Sequence, residues 1–253
     1  MSEVLAIPTA RDEDWRYADF EVLQGLAPEA FGVWKDVALA PGETRRHCTV
    51  LDDRWAGLNR VRIHVAEGAR GEMFAVLSAS SYTRLEVQVR LAKGAHFEFG
   101  GVTIGGGPKD GGPTREIVTR VTHAEPEATS RQVVRSVHWG QATGNFLGRI
   151  EVARDAQKTD AAQDFKGLLL ERGASANAKP ELEIFADDVK CAHGAAVGQL
   201  DERARFYMAA RGIPPETADK LLVRAFIADA FATAGEDQDQ LLEAALSALG
   251  EVA

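Results

Sequence analysis

Residues 61–69 read VRIHVAEGA and residues 85–95 read LEVQVRLAKGA. In each, apolar side chains alternate with polar ones and the run ends in a small residue, a charge and a glycine. Val61, Ile63 and Val65 alternate with Arg62 and His64; Leu85, Val87, Val89 and Leu91 alternate with Glu86, Gln88 and Arg90. A period of two is the mark of a strand with one buried face, and the Gly-containing end is a turn. Val152-Ala153-Arg154-Asp155-Ala156 repeats the form with Asp in place of Gly, and Phe185-Ala186-Asp187-Asp188-Val189 is a looser copy. Such corners suit a coiled parallel solenoid in which each rung turns tightly and buries a small residue. Because the spacings are uneven, the pattern alone leaves a sandwich, a jelly roll and a β-helix open.

The same texture holds over residues 45–195, where no 3.6-residue periodicity is sustained; Ile150 with Val152 and Leu182 with Ile184 add further alternating pairs. Before it, ARDEDWRYADF (residues 10–20) places Trp15, Ala18 and Asp19 at helical spacing, and Pro28, Gly32 and Pro41 end the pattern. After residue 198 the texture changes. Asp201-Glu202-Arg203 caps a helix running to Arg211 and stopped by Gly212, and Pro214-Pro215-Glu216 opens a second. Leu222, Phe226 and Ala230, flanked by Ile227 and Phe231, form its apolar stripe. A third helix follows Gly235, with Leu241, Leu242, Ala245, Leu246 and Leu249 on one face. These stripes suit either an intramolecular cap or a partner's docking surface. The expected organisation is a short N-terminal helical segment over 1–40, a mainly β core over 41–198 and a C-terminal helical segment over 199–253.

Composition removes several classes of function. The chain has 253 residues, 29 Lys and Arg against 38 Asp and Glu, and a net charge of −9. Such an acidic chain lacks the broad basic surface that phosphate neutralisation needs, so no nucleic-acid partner is expected. No apolar run reaches a membrane span and MSEVLAIPTARDEDW lacks the features of a secretory signal; with two cysteines, the expectation is a cytoplasmic protein.

Motifs of common chemistry fail on spacing. Gly105-Gly106-Gly107-Pro108-Lys109-Asp110-Gly111-Gly112 has neither Gly-Lys-Ser/Thr nor a third Gly where a dinucleotide loop requires it, and reads as a surface loop. His47, His64, His96, His123, His138 and His193 are scattered singly, with no HExxH or CxxC. There is no Gly-X-Ser-X-Gly elbow. Adjacent Asp187 and Asp188 would point to opposite faces of a strand, so they cannot flank one bond and read as corner residues. No catalytic residues are assigned. Cys191-Ala192-His193 remains. On a strand, Cys191 and His193 share a face about 6–7 Å apart. Thiolate and imidazole suit a soft transition metal; the plainer reading is a small buried Cys beside a polar strand-exit residue. A cluster takes about four protein ligands, so this pair needs a second chain. Cys48 beside His47 is a weaker pair with no supporting pattern.

Residues 145–212 carry a longer ordered signal: Phe146, Gly148, Ile150 and Val152; Ala156-Gln157-Lys158-Thr159-Asp160-Ala161 with Gln163; Leu168-Leu169-Leu170; and Asn177. It continues in Lys179-Pro180-Glu181-Leu182-Glu183-Ile184 and Ala186-Asp187-Asp188-Val189-Lys190-Cys191, then His193-Gly194-Ala195 and Val197-Gly198. Asp201-Glu202, Phe206-Tyr207 and Arg211-Gly212-Ile213 complete it. This stretch resembles the SufB/SufD family of iron–sulfur cluster assembly proteins, and its SufD branch most. Glu13-Asp14-Trp15-Arg16-Tyr17 resembles that family's short N-terminal helix, and Ala178 departs from it where relatives often carry Thr. The chain is also shorter than many relatives, chiefly before the β region. The resemblance implies a right-handed parallel β-helix flanked by helices. It implies a non-enzymatic scaffold, linked to iron acquisition, that pairs with a SufB-like paralogue through the coil ends. A SufC-like ABC ATPase would dock on the C-terminal helices. His193, with Cys191 two residues before it, matches the branch's interface ligand for iron or a transient iron–sulfur cluster; nothing is expected tightly bound to the isolated chain, which could form a homodimer. A β-helix enzyme acting on polysaccharide and a self-associating structural coil are the alternatives.

Overall fold

The computed structural model describes residues 7–108 and 111–249. Lys109 and Asp110 of the glycine-rich loop lie outside the described residues. Among the described residues, twelve strands form two six-stranded sheets, and every pairing is parallel. The first sheet holds β1 (Lys35–Leu39), β3 (Gly57–Val65), β5 (Thr83–Leu91), β7 (Thr114–His123), β9 (Thr143–Val152) and β11 (Ser175–Ile184). The second holds β2 (Thr44–Leu51), β4 (Arg70–Leu77), β6 (His96–Gly105), β8 (Thr129–His138), β10 (Asp160–Leu169) and β12 (Lys190–Gly198). Odd and even strands alternate between the sheets, so consecutive strands make one rung and the chain winds a β-helix. Val65, Leu91, His123, Val152 and Ile184 are successive register partners, at intervals of 26, 32, 29 and 32 residues. The variable corner length is why the repeat is blurred in the sequence.

The alternation sets what fills the coil. Val61, Ile63, Val65, Leu85, Val87, Val89 and Leu91 meet Met73, Ala75, Leu77, Phe97 and Phe99 between the sheets. Phe146 and Phe165 stack with centroids 5.7 Å apart. The lumen also holds two fully buried histidines. His123 Nε2 meets Ser130 Oγ at 2.9 Å, and His138 meets the Gly105 carbonyl and Thr103.

The weak sequence echo corresponds to one stacked corner. Gly42, Gly68, Gly94, Glu127 and Lys158 are all left-handed, with φ between 60° and 70°. Each donates its N–H to a carbonyl one rung on: to Glu67, Lys93, Pro126, Gln157 and Asp188 respectively. The column thus continues through two non-glycine residues, and at the fifth corner the special position is Lys158 rather than Asp155. Asp187 and Asp188 sit in the last corner, as their sequence suggests.

The flanking helices close the outer faces. The helical piece expected over 10–20 is a 3-10 turn at Glu13–Trp15 followed by α1 (Phe20–Gln24), with Asp19 accepting the N–H groups of Glu21 and Val22. This segment lies on the first sheet. There Arg84, fully buried, stacks on Trp15 at 3.8 Å, pairs with Glu116 at 3.3 Å and donates to the Asp14 carbonyl. Tyr82 donates to the same Glu116, and Asn145 donates both to it and to the Tyr17 carbonyl.

On the second sheet, α3 (Pro215–Ala228) and α4 (Gln238–Ser247) bury Val223, Ile227, Leu241, Leu242 and Ala245 against Phe74, Val76, Val102, Ile104, Val133 and Val137. The buried stripe of α3 is centred on Val223 and Ile227, one position from the Leu222–Phe226 line. The helix packs on the sheet and on α4 together, so its buried face is the bisector of two contacts. The first C-terminal helix, α2 (Glu202–Ala209), ends two residues before Arg211, and the chain turns at left-handed Gly212. Among the described residues, no helix is long and apolar enough to cross a membrane.

Two outcomes follow from these contacts. A Cβ at Gly94 would meet nothing within 4 Å, so Gly94→Ala pays only backbone strain. It should cost about 1–2 kcal/mol in denaturant unfolding, whereas Lys158→Gly should move the midpoint the other way. Burial pushes the His123 imidazole down to about 4 and that of His138 to about 3, the Arg115 charge adding to the latter. An unfolded imidazole titrates near 6.5, so as pH falls from about 6.5 toward 4 the unfolded chain takes up protons that the folded chain refuses. Stability should be full above that window and fall within it, read as a dropping Tm. His138→Gln should flatten the slope.

Candidate functional site

Every backbone bond of the sheets runs between rungs, so the last rung, β11 with β12, keeps one unpaired edge on each strand. The lumen opens there as a mouth. Register determines what lines it. Cys191 stacks on Ala161, His193 on Gln163, Ala195 on Phe165 and Val197 on Gly167. Ala161, Gln163 and Phe165 are buried in the lumen, so the four residues above them point the same way. Opposite, Ala178, Leu182 and Ile184 of β11 continue the inward column of Phe146, Ile150 and Val152.

The structure therefore brings Cys191 and His193 to one face of the terminal strand, at the rim of the coil. They differ in surroundings. Cys191 is half-buried against Ile150, Val152, Ala156, Ala161 and Ala186, whereas His193 is exposed. Burial pushes the Cys191 thiol above its ordinary range, and the nearby Asp160 carboxylate pushes it the same way. The metal-binding thiolate is disfavoured until a cation arrives. Among the described residues, no three His, Cys, Asp or Glu side chains gather to hold an ion. The donor types fit iron, and the pair is half the number a cluster takes.

Cys48 and His47 are elsewhere. His47 heads the inward column His47–Met73–Phe99–Gln132–Gln163–His193 at the opposite mouth, five strand spacings or about 24 Å from His193. Cys48 lies on the outer face beside Asp237, and burial together with that carboxylate pushes its thiol up to about 11.

Around the mouth the surface is apolar. Ile184, Phe185 and Val197 are 39%, 65% and 47% exposed. Sequence reading passes over this patch because the terminal strand, Lys-Cys-Ala-His-Gly-Ala-Ala-Val-Gly, is built of small residues whose alternation carries little hydropathy signal. The sequence alone also assigns Gln163 no role. Its Nε2 donates to the Gly148 carbonyl at 3.2 Å and the Glu181 carbonyl at 3.3 Å, laying the amide across the lumen as the floor of the mouth. A Cβ at position 148 would sit 2.3 Å from Gln163 Oε1, so only glycine allows that approach. On the outer side of β11, Lys179 pairs with Glu13 at 2.8 Å and Glu181 at 3.1 Å, tying the N-terminal segment to the last rung.

The family model for the SUF system FeS cluster assembly SufBD core domain matches residues 44–226, which spans β2 to β12, α2 and most of α3. The chain belongs to the SufBD family. Its relatives place it in the SufD branch. It is 39% identical over 111 residues to the iron–sulfur cluster assembly protein SufD of Escherichia coli, covering 44% of this chain and 26% of that protein. The corresponding protein of Bacillus subtilis is 31% identical over 118 residues, covering 47% and 27%. The chloroplastic protein ABCI7 of Arabidopsis thaliana is 42% identical over 116 residues, covering 45% and 24%. The matched stretch thus spans about a quarter of each of these relatives' lengths.

Both thiols of this SufBD-family chain should alkylate slowly at pH 7.5. Rates of iodoacetamide labelling at Cys48 and Cys191, followed by peptide mass spectrometry, should rise steeply above pH 9. Rapid labelling of Cys191 at pH 7 would show that its thiol is not held protonated by its surroundings.

Proposed function

We propose that this chain is a non-enzymatic scaffold subunit of a SufBCD-type iron–sulfur assembly complex, working in the cytoplasm. A SufB-like paralogue covers the mouth of the coil, and iron or a transient cluster is held between Cys191, His193 and donors of that partner. The observation that carries this reading is the terminal rung. Unpaired strand edges, an apolar rim and two metal-type donors short of a full set coincide at one place. A parallel edge is satisfied by another strand, and the rim of Ile184, Phe185 and Val197 gains by burial on a second apolar surface. An isolated subunit has the same edges available for a homodimer.

The SufC-like ABC ATPase docks on the C-terminal helices. Of these, α3 and α4 spend their apolar stripes on the second sheet. What they leave is α2, which buries nothing and exposes Phe206 and Tyr207 at 77% and 57%, with Leu221 of α3 at 44%. Arg211 lies over the Tyr207 ring at 3.5 Å, and Arg205 pairs with Asp219, holding α2 against α3. This gives a rigid aromatic patch of the kind that anchors an interface.

Three variants separate the parts in the reconstituted complex, by native mass spectrometry and cluster formation. The double change Ile184→Asp with Val197→Asp should weaken pairing with the paralogue at least about tenfold and spare the ATPase, and Phe206→Ala with Tyr207→Ala should do the reverse. His193→Ala should leave the complex assembled and abolish cluster formation. Intact cluster formation in that variant would remove His193 from the site. Recovery of the wild-type chain without a paralogue or ATPase would sink the scaffold reading.

A further inference from the structure

The floor of the mouth holds an unmet hydrogen-bond acceptor. Gln163 is 2% exposed, and its Nε2 is committed to two backbone carbonyls. That fixes which end of the amide is which, because a flipped amide would set its oxygen against both carbonyls. Gln163 Oε1 is then a buried acceptor with no partner among the described residues. Leaving such an atom unsatisfied costs about 1–3 kcal/mol, so its position calls for a donor. Register sets two side chains against it: Gln132 on the inner side and His193 on the outer. Gln132 is 1% exposed and held where its own Nε2, also without a partner, does not reach Oε1. His193 lies directly on Gln163 in the next strand, and its exposed ring is free to turn inward. The other mouth-facing residues of β12 are Ala195 and Val197, which donate nothing, and Cys191, whose side chain is packed into the neighbouring apolar cluster.

We propose that Gln163 is a positioning residue for His193: its Oε1 accepts one ring N–H, which fixes the tautomer and aims the other nitrogen's lone pair out of the mouth. A ligating histidine commonly donates its second N–H to such an acceptor, which sets ring orientation and raises basicity. The inference rests on the reading of His193 as a metal donor, but the hydrogen bond itself does not. Gly148 belongs to the same device, since a side chain there would displace Oε1.

The test uses the full-length chain labelled with 15N-histidine. Two-bond nitrogen–proton correlation spectra at pH 8 report each ring's tautomer without any metal, and His193→Ala assigns the resonance. Wild-type His193 should show a single tautomer. Gln163→Leu, and Gln163→Met as the closer match in shape should the first fold poorly, should give the mixture of tautomers of a free imidazole. Cobalt(II) titration should then show affinity reduced about 10-fold or more in both variants. A His193 tautomer unchanged by both substitutions would overturn the proposal. If the tautomer changes but cobalt binds neither wild type nor variants, the positioning stands and the metal reading of the isolated pair fails.

Discussion

In a coil of parallel strands the backbone bonds run along the axis, and this one constraint shapes everything else in the molecule. Ten ladders satisfy the interior rungs, but the first and last must each present unpaired edges and an open lumen. Globular sheets usually blunt such edges. Here the last rung does the opposite: it is long, nine to ten residues per strand, and rimmed with Ile184, Phe185 and Val197. A closed protein would gain stability by capping this end. The two donor side chains lie at that open boundary.

Much of this was legible in the sequence, for physical reasons that differ by region. Strands such as Val61–Val65 and Leu85–Leu91 separate a wet face from a dry one, so alternation exposes them. Corners announce themselves because left-handed backbone favours glycine, as at Gly68 and Gly94. The Cys191/His193 pair could be read because a period of two puts i and i+2 together on any strand. What escaped depends on stacking between rungs. The partners of Arg84 lie at positions 14, 15 and 116, brought near only by the winding. Lys158 takes over the corner position from Asp155 because that corner is longer. Gln163 gains its place from residues 148, 181 and 193, none of which is local to it.

The polar interior shows a division of labour. Outside the first sheet, the buried Arg84–Glu116 pair is surrounded by Tyr82, Asn145 and two carbonyls of the N-terminal segment, so its charges are matched and both Arg84 Nη atoms are hydrogen-bonded, with Nε left unpaired. A pair so satisfied fixes the position of the segment it holds, whatever its net contribution to stability. At the mouth the reverse holds. Cys191 and Gln163 are held in surroundings that do not satisfy them, and His193 is open to solvent.

The path of the C-terminal helices alters how the coil behaves as a whole. Taken alone, a solenoid interacts only between neighbouring rungs, and it can grow or fray one rung at a time. In this chain α3 lies on β8, and α4 reaches back to β4 and β2, where Arg46 bonds the Ala234 carbonyl and Asp237. Residues late in the described chain therefore lie on its first rungs. A zipper becomes a loop: α4 covers the greasy back of the first rungs, so those rungs cannot peel without lifting the helices that also lie on the later ones. Fraying is suppressed at the far rungs by these helices. Any force applied to those helices is thereby spread along the length of the coil instead of being spent at its nearest turn.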